Sequence, residues 1–386
     1  MIRPNLIYCN GCHACYSICP KHCIEMKYNF EGFLYPEVDS EICVDCGLCE
    51  MACPLLSDNT EKRHIDTYAA INKNDKIRQD SSSGGVFYLL ADYVLENDGV
   101  VFGAAFDDNF NVRHICIRNK NELYKLQKSK YVQSTIGDSY IKAKTELENG
   151  KLVLFTGTPC QISGLLSFLN KKYSNLITQD IICHGVPSPL LWRKYLKSAL
   201  SSKPKEIDFR NKSKGWLNYS FVIKCSDLII DFPFNKNPYM QMFLQNISLR
   251  ESCYNCKFKS IERASDITLA DFWGAQNILP KMFDDKGTSL VLINSQKGQL
   301  YFNLIKDSLI YLTVSTEEAL KYNPSAVKSV APHYKRDVYL QNISNKDFDY
   351  LYKNCFIPNK LEVIKKRVVL IFNYIQQLFR KNKNQF

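Results

Sequence analysis

Hydrophobic and polar positions alternate along this chain with two distinct periods. Ile24-Glu25-Met26-Lys27 and Phe33-Leu34-Tyr35-Pro36 look like the short strands that cover a small core. The polar run Ser57-Asp58-Asn59-Thr60-Glu61-Lys62-Arg63-His64 then reads as a linker, and a second unit starts near Asp66. Val86 to Leu95 carries helical apolar spacing, with Ser81-Ser82-Ser83-Gly84-Gly85 directly before it. Val100 to Phe106 and Val112 to Arg118 are strand-like, and Asp107-Asp108-Asn109 between them predicts a hairpin. A short helical stretch at Asn121 to Gln127 follows.

Next come two strand-then-helix units in tandem. The apolar Lys151-Leu152-Val153-Leu154-Phe155 precedes a helix at Ile162 to Leu169, and Leu176 to Ile182 precedes one from Leu190 to about Leu200. That order predicts a parallel sheet with a site at the C-terminal edge of its strands. Glu206 to Arg210, Ser220 to Lys224 and Leu228 to Phe232 read as strands, Asn237 to Leu244 as a helix, and residues 288 to 323 as strand, helix, strand and helix. In the tail, Leu361, Ile364, Val368, Ile371, Ile375 and Leu378 recur at steps of three and four among Lys365, Lys366, Arg367, Arg380, Lys381 and Lys383. This predicts a basic amphipathic helix of about seven turns. Docking on protein is the first expectation for it, and peripheral contact with an anionic membrane is the lesser one.

Length and composition change the picture in three ways. A chain of 386 residues has room for two or three domains. Its N-terminal residues Met1-Ile2-Arg3-Pro4-Asn5 have no basic-then-apolar signal pattern, and no apolar run reaches the roughly 18 residues a transmembrane helix needs. Together with sixteen cysteines, that places the chain in the cytoplasm with its thiols reduced or metal-bound. The formal charge of +11 suggests a nucleic-acid surface, but the Lys and Arg are scattered, and no nucleic-acid partner is expected.

The chemistry begins with the cysteines. Cys9-x-x-Cys12-x-x-Cys15-x-x-x-Cys19-Pro20 is followed by Cys43-x-x-Cys46-x-x-Cys49-x-x-x-Cys53-Pro54, the bacterial ferredoxin run written twice. Three thiolates at intervals of three fit one loop around a cubane, and the fourth reaches the other cubane. The expected ligand sets for two 4Fe-4S clusters are Cys9, Cys12, Cys15 and Cys53, and Cys43, Cys46, Cys49 and Cys19. Zinc sites prefer paired Cys-x-x-Cys units, and disulfides need an oxidising compartment, so both fit poorly. Cys23 reads as a packed thiol. Each cluster carries about −2, so two or three of them lower the formal charge to about +7 or +5.

Further thiols lie at loop and strand ends. Thr158 as N-cap, Pro159 at the first helical position and Cys160 in the first turn put a thiol at the positive end of a helix, where it ionises readily. It reads as a redox-active cysteine, a metal ligand or a small buried residue. Cys183-His184-Gly185 ends the next strand, and Cys253-Tyr254-Asn255-Cys256 is a lone Cys-x-x-Cys. Together these four thiols make one further cubane's worth. Cys116, Cys225 and Cys355 read as core packing. The Ser81 to Gly85 stretch suits either a phosphate or an ordinary helix cap. No Gly-x-Gly-x-x-Gly follows a strand, so no separate dinucleotide fold is expected.

Over residues 1 to about 330 the chain resembles the coenzyme F420 hydrogenase/dehydrogenase beta-subunit family. The likeness rests on Ser82-Ser83-Gly84-Gly85-Val86, Ser129-Lys130-Tyr131-Val132-Gln133-Ser134, Gly157-Thr158-Pro159-Cys160-Gln161, Ile182-Cys183-His184-Gly185-Val186-Pro187-Ser188, Cys253-x-x-Cys256, Asp266-Ile267-Thr268 and Asp271-Phe272-Trp273-Gly274. One departure stands out: Ala270-Asp271 replaces the Gly-Asp common in such sequences. The resemblance implies FAD, with Ser83, Gly84, Gly85, Lys130 and Tyr131 as its contacts, and a third 4Fe-4S cluster on Cys160, Cys183, Cys253 and Cys256. His184, beside one of these ligands, is expected to hydrogen-bond cluster sulfur in preference to acting as a proton donor.

The expected fold class is α+β: a dicluster ferredoxin-like domain at 1–58, joined to a larger mixed α/β flavin-binding domain at 66–330, with a helical C-terminal tail at 331–386. The expected function is an iron-sulfur flavoprotein oxidoreductase that exchanges a hydride with a small molecule and single electrons with a redox partner, a ferredoxin or a larger oxidoreductase. The alternative is an electron-transfer adaptor with no substrate of its own.

Overall fold

The computed structural model describes residues 8–56 and 66–358. The predicted linker, the leading residues and the basic tail helix lie outside the described residues.

Strands β1 (Ile24–Tyr28) and β2 (Leu34–Val38) form an antiparallel pair in which Met26 faces Pro36. The short helices Ala14–Ile18 and Leu48–Met51 each follow a cysteine loop and pack against one another. In chain order the remaining strands are β3 (Asp66–Asn72), β4 (Val100–Phe106), β5 (Val112–Ile117), β6 (Val153–Thr156), β7 (Leu176–Ile181), β8 (Glu206–Asn211), β9 (Ser220–Lys224), β10 (Ile229–Pro233), β11 (Ile267–Asp271), β12 (Ser289–Ile293) and β13 (Leu309–Thr313).

Eight of them form one mixed sheet in the order β13-β3-β12-β11-β7-β6-β4-β5. The centre is parallel, from β11 through β7 and β6 to β4, as the tandem strand-helix units require. The predicted hairpin closes one edge as the antiparallel β4 and β5, with Phe106 opposite Val112. Successive residues of β4 and β6 serve opposite faces. Val101, Ala105 and Leu154 pack under the helices Val86–Glu96 and Gln296–Ile305. Val100, Phe102, Val153 and Phe155 pack under Ser139–Glu148 and Pro159–Leu169. Apolar side chains on both faces make these strands interior, which is why their sequence reads as near-continuous hydrophobic runs.

A second core surrounds the three-stranded sheet β10-β9-β8. It gathers Trp192, Phe209, Phe221 and Tyr239 with Tyr339, Phe348 and Phe356 from the region after residue 330. The chain is thus a mixed α/β protein built on a large mixed sheet, preceded by a small two-stranded unit rich in cysteine.

Local details differ from expectation in two places. The helix after the Ser81 to Gly85 stretch is capped by Gly85 in a left-handed conformation, with no hydroxyl cap. Gly84 is required by packing: an added Cβ would meet the Ala70 carbonyl oxygen at 2.3 Å. The stretch at 121–127 is a 3-10 helix, Lys120–Lys125. The Ala270 departure carries no strain, because Ala270 is an ordinary mid-strand residue of β11 paired with Leu290.

Candidate functional site

The two ferredoxin runs fold into loops of the same shape. Gly11 and Asp45, and again His13 and Gly47, hold equivalent positions in the two runs, and all four have positive φ, between 51° and 76°. Left-handed residues there turn the chain so that successive thiols face inward.

Cys9, Cys12, Cys15 and Cys53 line one cavity. Cys19, Cys43, Cys46 and Cys49 line another. The last cysteine of each run therefore stands with the triplet of the other, the crossing predicted from the spacing. Cys23 joins the second group, with its Sγ 3.4 Å from that of Cys19.

A third cavity draws its four thiols from three separate segments. Cys160 comes from the first turn of the helix after β6, Cys183 from the loop after β7, and Cys253 and Cys256 from a loop some seventy residues on. The helix carrying Cys160 starts as the sequence indicates, with Pro159 in its first turn and the Thr158 amide donating to Gln161 Oε1 at 3.0 Å. The expectation that Cys160 ionises readily does not hold for the bare thiol. Burial, with the neighbouring Cys256, Cys183 and Cys253, pushes it far up, and this outweighs the helix end.

Three cations meet those four thiols. Arg250, Lys259 and Arg263 all line the cavity. Lys259 Nζ donates to the Cys183 carbonyl oxygen, and Arg263 lies 3.8 Å from Asp180. Four thiols and three cations suit a dianionic cluster with four thiolate ligands. Among the described residues no three His, Cys, Asp or Glu stand close enough to hold a single metal ion. The thiols stand around a cavity wall, which is the arrangement a cubane needs. His184 lines the same cavity, but its Nε2 is engaged with Asn246 Oδ1 at 2.7 Å.

The segments expected to hold flavin also meet. Ser82 Oγ accepts from the Ser129 amide at 2.8 Å, which brings the Ser83-Gly84-Gly85 turn beside Lys130 and Tyr131. Ser83 and Gly84 are themselves anchored on Thr288 and Ser289. Lys212 Nζ donates to the carbonyl oxygens of Arg78, Ser83 and Lys286, tying β8's end to that turn. Burial pushes Lys130 down to about 7. It also pushes Lys212 down to about 7, helped by Arg210 and Arg78.

Arg210, on β8, pairs with Asp271 at the end of β11 and lies against the rings of Tyr219 and Trp273. Its Nε and Nη2 are buried without a partner. Orphaned guanidinium donors near Lys212 and against the rings of Tyr219 and Trp273 suit an anionic, flat, aromatic ligand such as a flavin nucleotide. Sequence reasoning missed Arg210, Lys212, Arg250, Lys259 and Arg263, since none belongs to a spaced motif. The available signal was a cation three residues before Cys253 and three, Lys257, Lys259 and Arg263, within seven residues after Cys256.

Residues 67–139 and 150–319 match the N-terminal and C-terminal models of the coenzyme F420 hydrogenase/dehydrogenase beta subunit, and residues 8–55 match a 4Fe-4S dicluster domain. A coenzyme F420-dependent sulfite reductase of Methanocaldococcus jannaschii is 28% identical over 315 residues, covering 72% of this chain and 48% of the relative. The chain thus spans about half the length of that curated relative. A chain of a xenon-derivatised F420-reducing nickel-iron hydrogenase complex from Methanosarcina barkeri aligns at TM-score 0.45 and 16% identity, covering 76% of this chain and 91% of that one. With two models of one family matching 67–139 and 150–319, the chain belongs to the coenzyme F420 hydrogenase/dehydrogenase beta-subunit family and carries a 4Fe-4S dicluster domain in front.

Proposed function

We propose that the chain is an iron-sulfur flavoprotein oxidoreductase, with ferredoxin-type clusters in 1–58, a flavin and third-cluster domain in 66–330, and a tail at 331–386. The observation that carries this reading is that each of three cavities gathers four of the twelve motif thiols, with Cys23 as a fifth thiol in the Cys19 cavity. Cys9, Cys12, Cys15 and Cys53, then Cys19, Cys43, Cys46 and Cys49, then Cys160, Cys183, Cys253 and Cys256 would each hold one 4Fe-4S cluster. Ser83, Gly84, Gly85, Lys130 and Tyr131, with Arg210 beside them, would hold FAD. When bound, FAD supplies two-electron hydride chemistry and the clusters supply single-electron steps.

The protein's own part is electrostatic. Lys130 and Arg210 stabilise negative charge on the ring or its phosphates, and Arg250, Lys259 and Arg263 balance the charge of the third group. The partners this implies are a small hydride donor or acceptor and a one-electron carrier protein.

The test is a donor screen on anaerobically purified protein, with reduced deazaflavin, NADH and NADPH offered and a one-electron dye as acceptor. Dye reduction by any of them supports an enzyme with its own substrate. Reduction by a ferredoxin alone moves the reading to an adaptor that relays electrons to a partner enzyme.

A further inference from the structure

The two cysteine loops of the ferredoxin half have the same shape but opposite surroundings. Asn10 and His13 in the first are 6% and 3% exposed, whereas Val44 in the second is 59% exposed and Cys46 is open to solvent. The first loop is buried partly by the helix Pro159–Leu169 against Cys12 and partly, at Asn10, by the wall of the third cavity. Asn10 lines both the Cys9 cavity and the Cys160 cavity. Arg250, 1% exposed and also lining the third cavity, donates from Nε to the Cys9 carbonyl oxygen at 2.7 Å.

The rest of that wall is a closed set of hydrogen bonds. Arg250 Nη1 donates to Gln133 Oε1 at 3.0 Å, Gln133 Nε2 donates to the Asn10 carbonyl oxygen at 2.9 Å, and Arg250 Nη2 donates to the Leu34 carbonyl oxygen at 2.9 Å. Gly11 makes room for this contact, since a Cβ there would stand 2.8 Å from Arg250 Nη1. All three hydrogen-bond acceptors of Arg250 are neutral. Among the described residues no carboxylate lies within 4.0 Å of its guanidinium. Buried cations are ordinarily paired with a negative charge; Arg250 has the face of Tyr35 at 4.1 Å, and a cluster dianion on each side of the wall would supply the charge. The Cys19 cavity shares no lining residue with the third.

We propose that the Arg250–Asn10 wall is the junction between the third cluster and the ferredoxin half, so that the Cys9, Cys12, Cys15 and Cys53 group is the inner member and the Cys19, Cys43, Cys46 and Cys49 group the outer one. With clusters bound, one electron would leave the reduced group on one side and arrive on the oxidised group on the other, with no bond or proton changing place. Arg250 is a positioning residue: it holds the Cys9 loop on the third cavity and stabilises the added negative charge on either side.

The experiment is a redox titration of the full-length protein followed by electron paramagnetic resonance, comparing the unmodified chain with Arg250→Met and Arg250→Lys. The expected result is that two of the three midpoint potentials fall in Arg250→Met, fall less in Arg250→Lys, and the third stays fixed. Three unchanged potentials, or three equal shifts, overturn the proposal. Should Arg250→Met fail to fold, Cys46→Ser decides. It removes a ligand of the outer group on an exposed loop, and the spin coupling between the two remaining clusters must persist; its loss overturns the proposal. The inference rests on the three-cluster reading. An iron count of about eight would sink that reading, whereas about twelve irons with unmoved potentials would sink the junction alone.

Discussion

A methyl group on Gly164 would stand 3.0 Å from the Sγ of Cys12. Gly164 lies on the helix Pro159–Leu169, whose first turn carries Cys160, so one helix both supplies a thiol to the third cavity and seats a thiol of the first. The same methyl would also meet Cys12 Cβ at 2.9 Å and the Tyr140 hydroxyl at 3.0 Å. Gly164→Ala gains about 1 kcal/mol of helix propensity. Overpacking against both Cys12 and Tyr140 costs about 1–3 kcal/mol, and it wins. The variant should have a lower thermal midpoint and bind less iron. A higher midpoint at full iron content would show that the helix and loop separate at no cost.

The buried pair Arg336–Glu31, at 2.9 Å, ties the β1–β2 turn to the segment after residue 330. Both side chains are nearly inaccessible, and Arg336 also reaches Glu251 at 3.1 Å. Arg336→Met strands the Glu31 carboxylate, and breaking a buried pair in this way costs about 3–5 kcal/mol. Adding Glu31→Gln to it should recover part of that loss. Thermal denaturation of the two single variants and the double variant measures the coupling. Strictly additive losses would mean that the pair is not coupled.

His114 gives stability a pH dependence. Its Nδ1 meets Ser134 Oγ at 2.7 Å and its Nε2 meets the Thr156 carbonyl oxygen at 2.9 Å. Burial pushes it down to about 4 from the usual 6.5, although the Thr156 carbonyl opposes this. The unfolded chain takes up a proton as pH falls through 6.5, and the folded one only near 4. Stability is therefore whole above pH 6.5 and is lost progressively between 6.5 and 4, by about 3 kcal/mol in all. His114→Gln should flatten that part of the stability curve. Parallel curves for the two proteins would remove His114 as the cause.

Much of this was legible in the sequence, for identifiable reasons. The duplicated cysteine run is local, so its spacing predicts which thiols share a cavity, including the crossing of Cys19 and Cys53. The Leu152 to Phe155 and Leu176 to Ile182 runs read as interior parallel strands, and they sit together in the middle of the sheet. The cations were not legible. Arg250 meets Cys9 across 241 residues and Arg210 meets Asp271 across 61, and no spacing rule encodes such pairs. The glycines of the Ser83-Gly84-Gly85 turn invite a phosphate reading from sequence, yet each has a packing reason: Gly84 against Ala70 and Ser289, Gly85 at φ +84°. A glycine-rich turn reports close approach of some atom, and the sequence does not say which.

Arg210 offers a separate handle on the proposed flavin site. Its orphaned Nε and Nη2 are distant in sequence from all twelve thiols. Arg210→Gln should lower the flavin recovered per chain while leaving iron unchanged, because it removes donors from one site only. Equal loss of flavin and iron would point to misfolding, and unchanged flavin would remove Arg210 from that site. Cys183→Ser is the converse, with about four irons fewer and the two ferredoxin signals intact.

The central claim is most directly tested by counting acid-released flavin and iron on the same anaerobically purified sample. Three cavities that each gather four of the twelve motif thiols, and the cationic, aromatic region around Arg210, predict about one FAD and about twelve irons per chain. About eight irons with no flavin would contradict the account, leaving two ferredoxin clusters on a protein that only relays electrons.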